Sequence, residues 1–235
     1  MAALSRSSNA HSFSFFICVG MLSLLAVVSL HGFPGDKDVL TAELWAELDP
    51  IPLPKEERTI TQEIAISRTL EEARILISGM IYGYEVEYTP SDRARQVPEQ
   101  LEILPLAEIP PGDPALRAMN VRTKNNRYYV QIRYDLSEYQ IRRLQAWNSN
   151  ILDSASGVGI APLQDGYRGK YEAINQGIKN ALRGYLRKRV GNKPRLIKAR
   201  VVLEAPPSLS IDAGGYHCLV RIRINLGAVR PYSAY

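Results

Sequence analysis

The chain has 235 residues, of which 46% are hydrophobic and 23% charged, with a formal net charge of +5 at pH 7. That composition excludes a disordered or low-complexity polymer and belongs to an ordinary globular protein. The net charge conceals a split: residues 36–113 hold 17 acids against 7 Lys or Arg, and residues 114–235 hold 7 acids against 21, about −10 and +14.

Between Arg6 and Asp36 there is no Asp, Glu, Lys or Arg, and Phe13 to Leu30 is an almost unbroken apolar run. One positive charge before the run and the turn-rich HGFPGDKD after it have the layout of an export signal. As a helix the run spans about 27 Å, just short of the ~30 Å hydrocarbon core, so residues 1–32 are read as a signal peptide or a single-pass membrane anchor. Arg6 lies before the run and no positive excess follows it, which places the folded part outside the cytoplasm, periplasmic or anchored to the membrane. Cys18 follows Ile17 in the middle of the run, whereas lipidation needs a small residue before a Cys at its end. With the signal removed, Cys218 is the one remaining thiol and no intramolecular disulfide forms.

Residues 33–57 contain four prolines and read as a linker with at most one helical turn around Thr41 to Leu48. A first α+β unit is expected over 58–147. It opens with a helix from about Ser67, with Thr69 and Glu72 at capping-box spacing and Leu70, Ala73, Ile77, Met80, Ile81 and Tyr84 on one face. Tyr84, Val86 and Tyr88 then alternate with Glu85 and Glu87 as in a half-buried strand. Residues 89–116, with six prolines, are expected to be an irregular insertion. Arg117 to Thr123 and Arg127 to Leu136 form a hairpin across Lys124-Asn125-Asn126, because Asn tolerates the positive φ of a tight turn. On its second strand Tyr128, Val130, Ile132, Tyr134 and Leu136 point one way and Tyr129, Gln131, Arg133 and Asp135 the other. Ser137 with Gln140 starts a short helix.

Residues 148–168 are expected to be loop, and a second α+β unit occupies 169–226. It comprises a helix from Gly169 to Val190 with Tyr171, Ile174, Ile178, Ala181, Leu182 and Tyr185 buried, a strand from Arg195 to Glu204, and a hairpin over Ser208 to Leu226. In that hairpin Tyr216, Cys218, Val220, Ile222, Ile224 and Leu226 alternate with His217, Leu219, Arg221, Arg223 and Asn225. Residues 227–235 are read as a tail. The order helix, strand, hairpin occurs twice, and YYVQIRYDL matches HCLVRIRINL in residue type, which suggests a tandem duplication. The fold class expected is α+β, an antiparallel sheet with helices packed on one face.

Catalytic and cofactor motifs are weak. His217 and Cys218 are adjacent and so point to opposite faces of a strand, which makes a poor metal site. There is no G-x-S-x-G, and no cofactor is implied. Gly157-Val158-Gly159 lacks the third glycine and the preceding strand of a phosphate loop. Glu85 and Glu87 share a strand face about 7 Å apart, a spacing at which two carboxyls can divide acid and base roles, although no sequence feature supplies the burial that would separate their pKa values. The basic half is the stronger candidate. Residues 168–200 hold eleven Lys or Arg against Glu172, with Lys179, Arg183 and Arg187 at i, i+4, i+8 opposite the apolar stripe. Arg133, Arg221 and Arg223 would add a second basic patch if their strands are neighbours. Either this charge is neutralised by the acidic half, or it faces an anionic partner. Outside the cytoplasm nucleic acid is scarce, so the expected partner is an envelope protein or an anionic envelope surface. The reading is a non-enzymatic binding or scaffold module of the cell envelope, with an envelope hydrolase using Glu85 and Glu87 as the alternative.

Overall fold

The computed structural model describes residues 38–49, 60–149, 151–189 and 193–232. Every described residue lies in one compact unit, Asp36–Tyr235. The apolar run from Phe13 to Leu30 lies outside the described residues. Among the described residues no helix is long and apolar enough to cross a membrane.

The fold is α+β, with three helices and nine strands in two antiparallel sheets among the described residues. The first strand, β1 (Val39–Glu47), replaces the linker expected there. Ala42, Leu44, Trp45 and Ala46 are buried, and that apolar content outweighs the prolines on its C-terminal side. Helix α1 (Gln62–Ile81) begins earlier than expected: Thr61 is the N-cap and accepts from Ile64 N. Thr69 is buried mid-helix, its hydroxyl donating to the Ala65 and Ile66 carbonyls. Strand β2 (Tyr84–Thr89) follows with alternating burial, as its period predicts. The proline-rich insertion is partly ordered into β3 (Gln100–Pro105), which pairs along all of β2. Its prolines lie at its end and outside it, where they cost the ladder nothing.

The first hairpin is β4 (Leu116–Lys124) and β5 (Arg127–Asp135), joined by Asn125 and Asn126, both at positive φ. Helix α2 (Glu138–Trp147) carries the full capping box of Ser137 and Gln140. The stretch expected to be loop contains a ten-residue strand, β6 (Asp153–Pro162), and a single 3-10 turn links it to α3 (Gly166–Arg187). After β7 (Leu196–Leu203), the second hairpin joins β8 (Ser208–Asp212) to β9 (Gly215–Arg230) through Ala213 and Gly214, both at positive φ. Strand β9 runs into the expected tail.

One sheet has the order β1-β5-β4, and the other β3-β2-β7-β9-β6 with β8 also on β9. Each final hairpin strand lies between its hairpin partner and an earlier strand, β1 for β5 and β6 for β9. The main core, including Val130, Ile132, Val201, Leu182, Tyr216 and Ile222, runs through both sheets. Helix α1 packs against β1, β4 and β5 of the small sheet and β7 of the large one, while α3 lies on β6 and β9.

The contact of α3 with β6 explains the glycines that resemble a phosphate loop. A Cβ on Gly159 would overlap the Ala173 carbonyl oxygen and the Gly177 nitrogen, and one on Gly157 would overlap the Gly177 oxygen and the Ala181 nitrogen. The strand is therefore bare where the helix backbone rests on it. With alternation broken by glycine and serine, the period that would reveal a strand disappears from the sequence.

Candidate functional site

The charge split is met in part inside the fold. Among the described residues, five ion pairs join an acid of the first half to a base of the second: Arg122 to Glu43, Lys170 to Glu72, Lys179 and Arg183 to Glu99, and Lys198 to Glu87. Two members of the helical stripe are thereby occupied. Glu99 takes Lys179 at 3.2 Å and Arg183 at 3.5 Å, and the Tyr88 hydroxyl donates to it at 2.6 Å. The Tyr88 hydrogen bond, followed by Lys179, holds the Glu99 carboxyl below its ordinary pKa. Arg187 is exposed and has no ion pair among the described residues.

The most buried of the five pairs joins Lys170, which pattern passes over, to Glu72, whose spacing from Thr69 suggests a capping box instead. Lys170 on α3 and Glu72 on α1 have side chains only 4% and 3% exposed and meet at 3.1 Å. The ammonium also donates to the Trp45 carbonyl of β1 and lies 4.0 Å from the centre of the Trp45 ring. Arg127, from the first hairpin, covers the same ring at 4.2 Å. Tyr167 and Tyr171 share a 2.5 Å hydrogen bond nearby, and the Tyr216 hydroxyl donates to Glu47. Burial, chiefly, pushes Tyr167 up to about 12. This cluster ties α1, α3, β1 and β9 together. The sequence does hold a signal for it: Lys170 lies four residues before Ile174, and Glu72 four before Leu76, each in register with an apolar stripe and of opposite sign.

Glu85 and Glu87 lie on the face of the large sheet away from the helices. Glu87 is ion-paired to Lys198, and Glu85 sits across from Arg200. Both are half-buried. His217 and Cys218 do point to opposite faces: Cys218 is fully buried, and burial pushes its thiol up to about 12. No group of three or more potential metal ligands occurs among the described residues.

The expected second basic patch is divided. Arg133 is on β5 of the small sheet, where it bonds Asp135 at 2.9 Å, whereas Arg221 and Arg223 are on β9 of the large sheet. The two strands are matched in pattern and yet belong to different sheets, so no continuous patch forms. Arg223 is paired to Glu204 at 3.2 Å and donates to the Ser149 carbonyl. Arg221 is exposed, and on the same sheet face Arg200 of β7 is exposed as well. Neither has an ion pair among the described residues. Beside Arg221 on that face are three large apolar side chains, Val158, Ile160 and Leu219, 49%, 57% and 40% exposed, whereas Arg200 lies opposite Asn225, further along β9. Val158 lies directly opposite Leu219, and Ile160 opposite His217. Periodicity misses the two on β6 because its glycines hide the strand.

A family model matches residues 30–232, and the chain belongs to that family, an uncharacterised one. An "Uncharacterized protein" of Treponema pallidum (strain Nichols) is 24% identical over 238 residues, an alignment covering the whole of both chains. No solved structure matches the chain.

Proposed function

We propose that this protein is an exported envelope module of non-enzymatic character that docks an acidic partner or anionic envelope surface, held outside the cytoplasm by the segment around Phe13 to Leu30. The observation that supports it is the open face of the large sheet, where Arg221 stands beside Val158, Ile160 and Leu219 and Arg200 extends the basic charge along the same face. Cationic and aliphatic groups in one patch suit a partner that is acidic and partly apolar. The docking surface thus moves from the α3 stripe, whose Lys179 and Arg183 are held by Glu99, to the strand face that carries Arg221, with Arg223 contributing only what Glu204 leaves of its charge. The hydrolase alternative has less support, because the Glu87 carboxylate is engaged by Lys198 and neither acid has the desolvated setting that separates a catalytic pair. The two helix-strand-hairpin stretches are read as related units. Their shared pairing, in which an earlier strand flanks the last hairpin strand, favours that reading.

The test is a pull-down from solubilised envelope with the native protein and with Arg200→Glu/Arg221→Glu, whose fold is checked by circular dichroism. Loss of the native partners is expected, and retention of all of them by the folded variant overturns the surface. Intact mass from membrane and soluble envelope fractions reports whether the first ~30 residues are retained.

A further inference from the structure

Strand β6 is the end strand of the large sheet, and between its two ends it lacks the charges, prolines and bulges that usually blunt such an edge, with Asn180 of α3 reaching one of its outward carbonyls. It is ten residues long, roughly 33 Å, and its register against β9 is unbroken over all ten pairs. From Ser154 to Ala161 it carries no charge and no proline. The other edges differ. Strand β4 has a register shift at Ala118/Asn120 and carries Arg117, Arg122 and Lys124. Strand β3 is six residues long and carries Glu102. Strand β1 carries Glu43 and Glu47.

The direction of the free groups follows from the hydrogen bonds. Asn180 of α3 donates to the Val158 carbonyl at 2.8 Å, and Leu163 N, of opposite parity, bonds Gly214 across the sheet. The even-numbered residues Ser154, Ser156, Val158 and Ile160 therefore turn their backbone groups outward. Among the described residues, the Asn180 side chain is the one partner that this row has.

We propose that β6 pairs antiparallel with β6 of a second copy across a two-fold axis, joining two large sheets into one. Three observations select a second copy over another partner. The stretch from Ser154 to Ala161 meeting itself brings no like charges together, a condition that charged β1 and β4 fail. Even-numbered residues pair with even-numbered residues under such an axis, so Val158 and Ile160 of the two copies meet on one face and bury side chains that are now about half exposed. Finally, Gly184 lies one helical turn beyond Asn180 on the same side of α3, exposed and with no atom within 4 Å of where a Cβ would stand. Glycine inside a helix is unfavourable, and no described residue approaches Gly184, which leaves room for the helix of a second copy over the joined edges. The inference shares Val158 and Ile160 with the docking surface but rests on the strand edge and not on the arginines, so cross-linking at Val158 and the pull-down with Arg200→Glu/Arg221→Glu fail separately.

The experiment uses the full chain with Cys18→Ser and Val158→Cys, oxidised mildly in intact cells; the native Cys218 is buried and does not compete. Most of the chain is expected at twice its mass on a non-reducing gel. Met119→Cys and Leu104→Cys, of similar exposure on β4 and β3, are expected to give less than a tenth of that. Adding Ser156→Pro removes an outward N–H and spares the β9 ladder, and cross-linking should drop at least fivefold. Ser156→Lys, which sets like charges across the axis, should do the same if the proline variant does not fold. Equal cross-linking at Val158 and Met119, or full cross-linking in a folded Ser156 variant, overturns the proposal.

Discussion

The small sheet and the large sheet each hold an interior strand of the same alternating kind, β5 and β9, yet their surroundings diverge. Strand β5 sits between a charged β1 and a bulged, charged β4, so its sheet is closed to further pairing. Strand β9 sits between β7 with β8 and β6, which is uncharged from Ser154 to Ala161, so its sheet ends in an open edge. Helix contacts differ as well. Against the small sheet, α1 packs with ordinary apolar side chains; over β6, α3 rests backbone to backbone on glycine. Similar strands thus acquire different roles from what is placed beside them.

The two regions are held together by Lys170 and Glu72, and breaking that pair is expected to have the largest effect. Lys170→Met or Glu72→Gln leaves a buried group unmatched and should destabilise by about 3–5 kcal/mol, read by chemical denaturation; the double variant should recover much of the loss. Next is the helix–strand contact of the large sheet. Gly159→Ala should cost up to about 3 kcal/mol by forcing α3 off β6, whereas Gly112→Ala tests only the strain of a positive-φ loop position, since no atom lies within 4 Å of its Cβ. The small sheet depends on its turn: Asn126→Ala should cost about 1–2 kcal/mol, because alanine adopts positive φ less readily than asparagine. Smaller still is the acid response of the Glu99 contact. Its pKa is lowered in the folded state, so its stabilisation is complete above the unfolded value of about 4.3 and is lost as pH falls through the lower folded value. Glu99→Gln should flatten that part of the stability curve. Where the wild type shows no such slope relative to Glu99→Gln, the pairing with Lys179 and Arg183 contributes nothing.

The elements with a clear period were legible from residues alone. Tyr84 to Tyr88, the β4–β5 hairpin with its two asparagines, the Ser137 capping box, the α3 stripe and the alternation of β9 all appear as their spacing predicts, because each depends on side chains within a few positions of one another. Strands β1, β3 and β6 were not legible. Their periods are short, interrupted by proline or removed by glycine, and their stability comes from partners distant in sequence, such as β9 for β6. The candidate site was legible only in part: Arg221 faces outward as the alternation requires, but the occupation of Lys179 and Arg183 by Glu99, some 80 residues away, has no local signature.

The sequence by itself determined that the chain is α+β, that an apolar run precedes a folded body, and that its halves carry opposite charge. Tertiary structure decided that the charges meet each other as ion pairs, that the matched strands enter separate sheets, and that β6 is left at an open edge. Periodicity and net charge are sums over neighbouring residues, whereas pairing and exposure depend on which distant strand lies alongside.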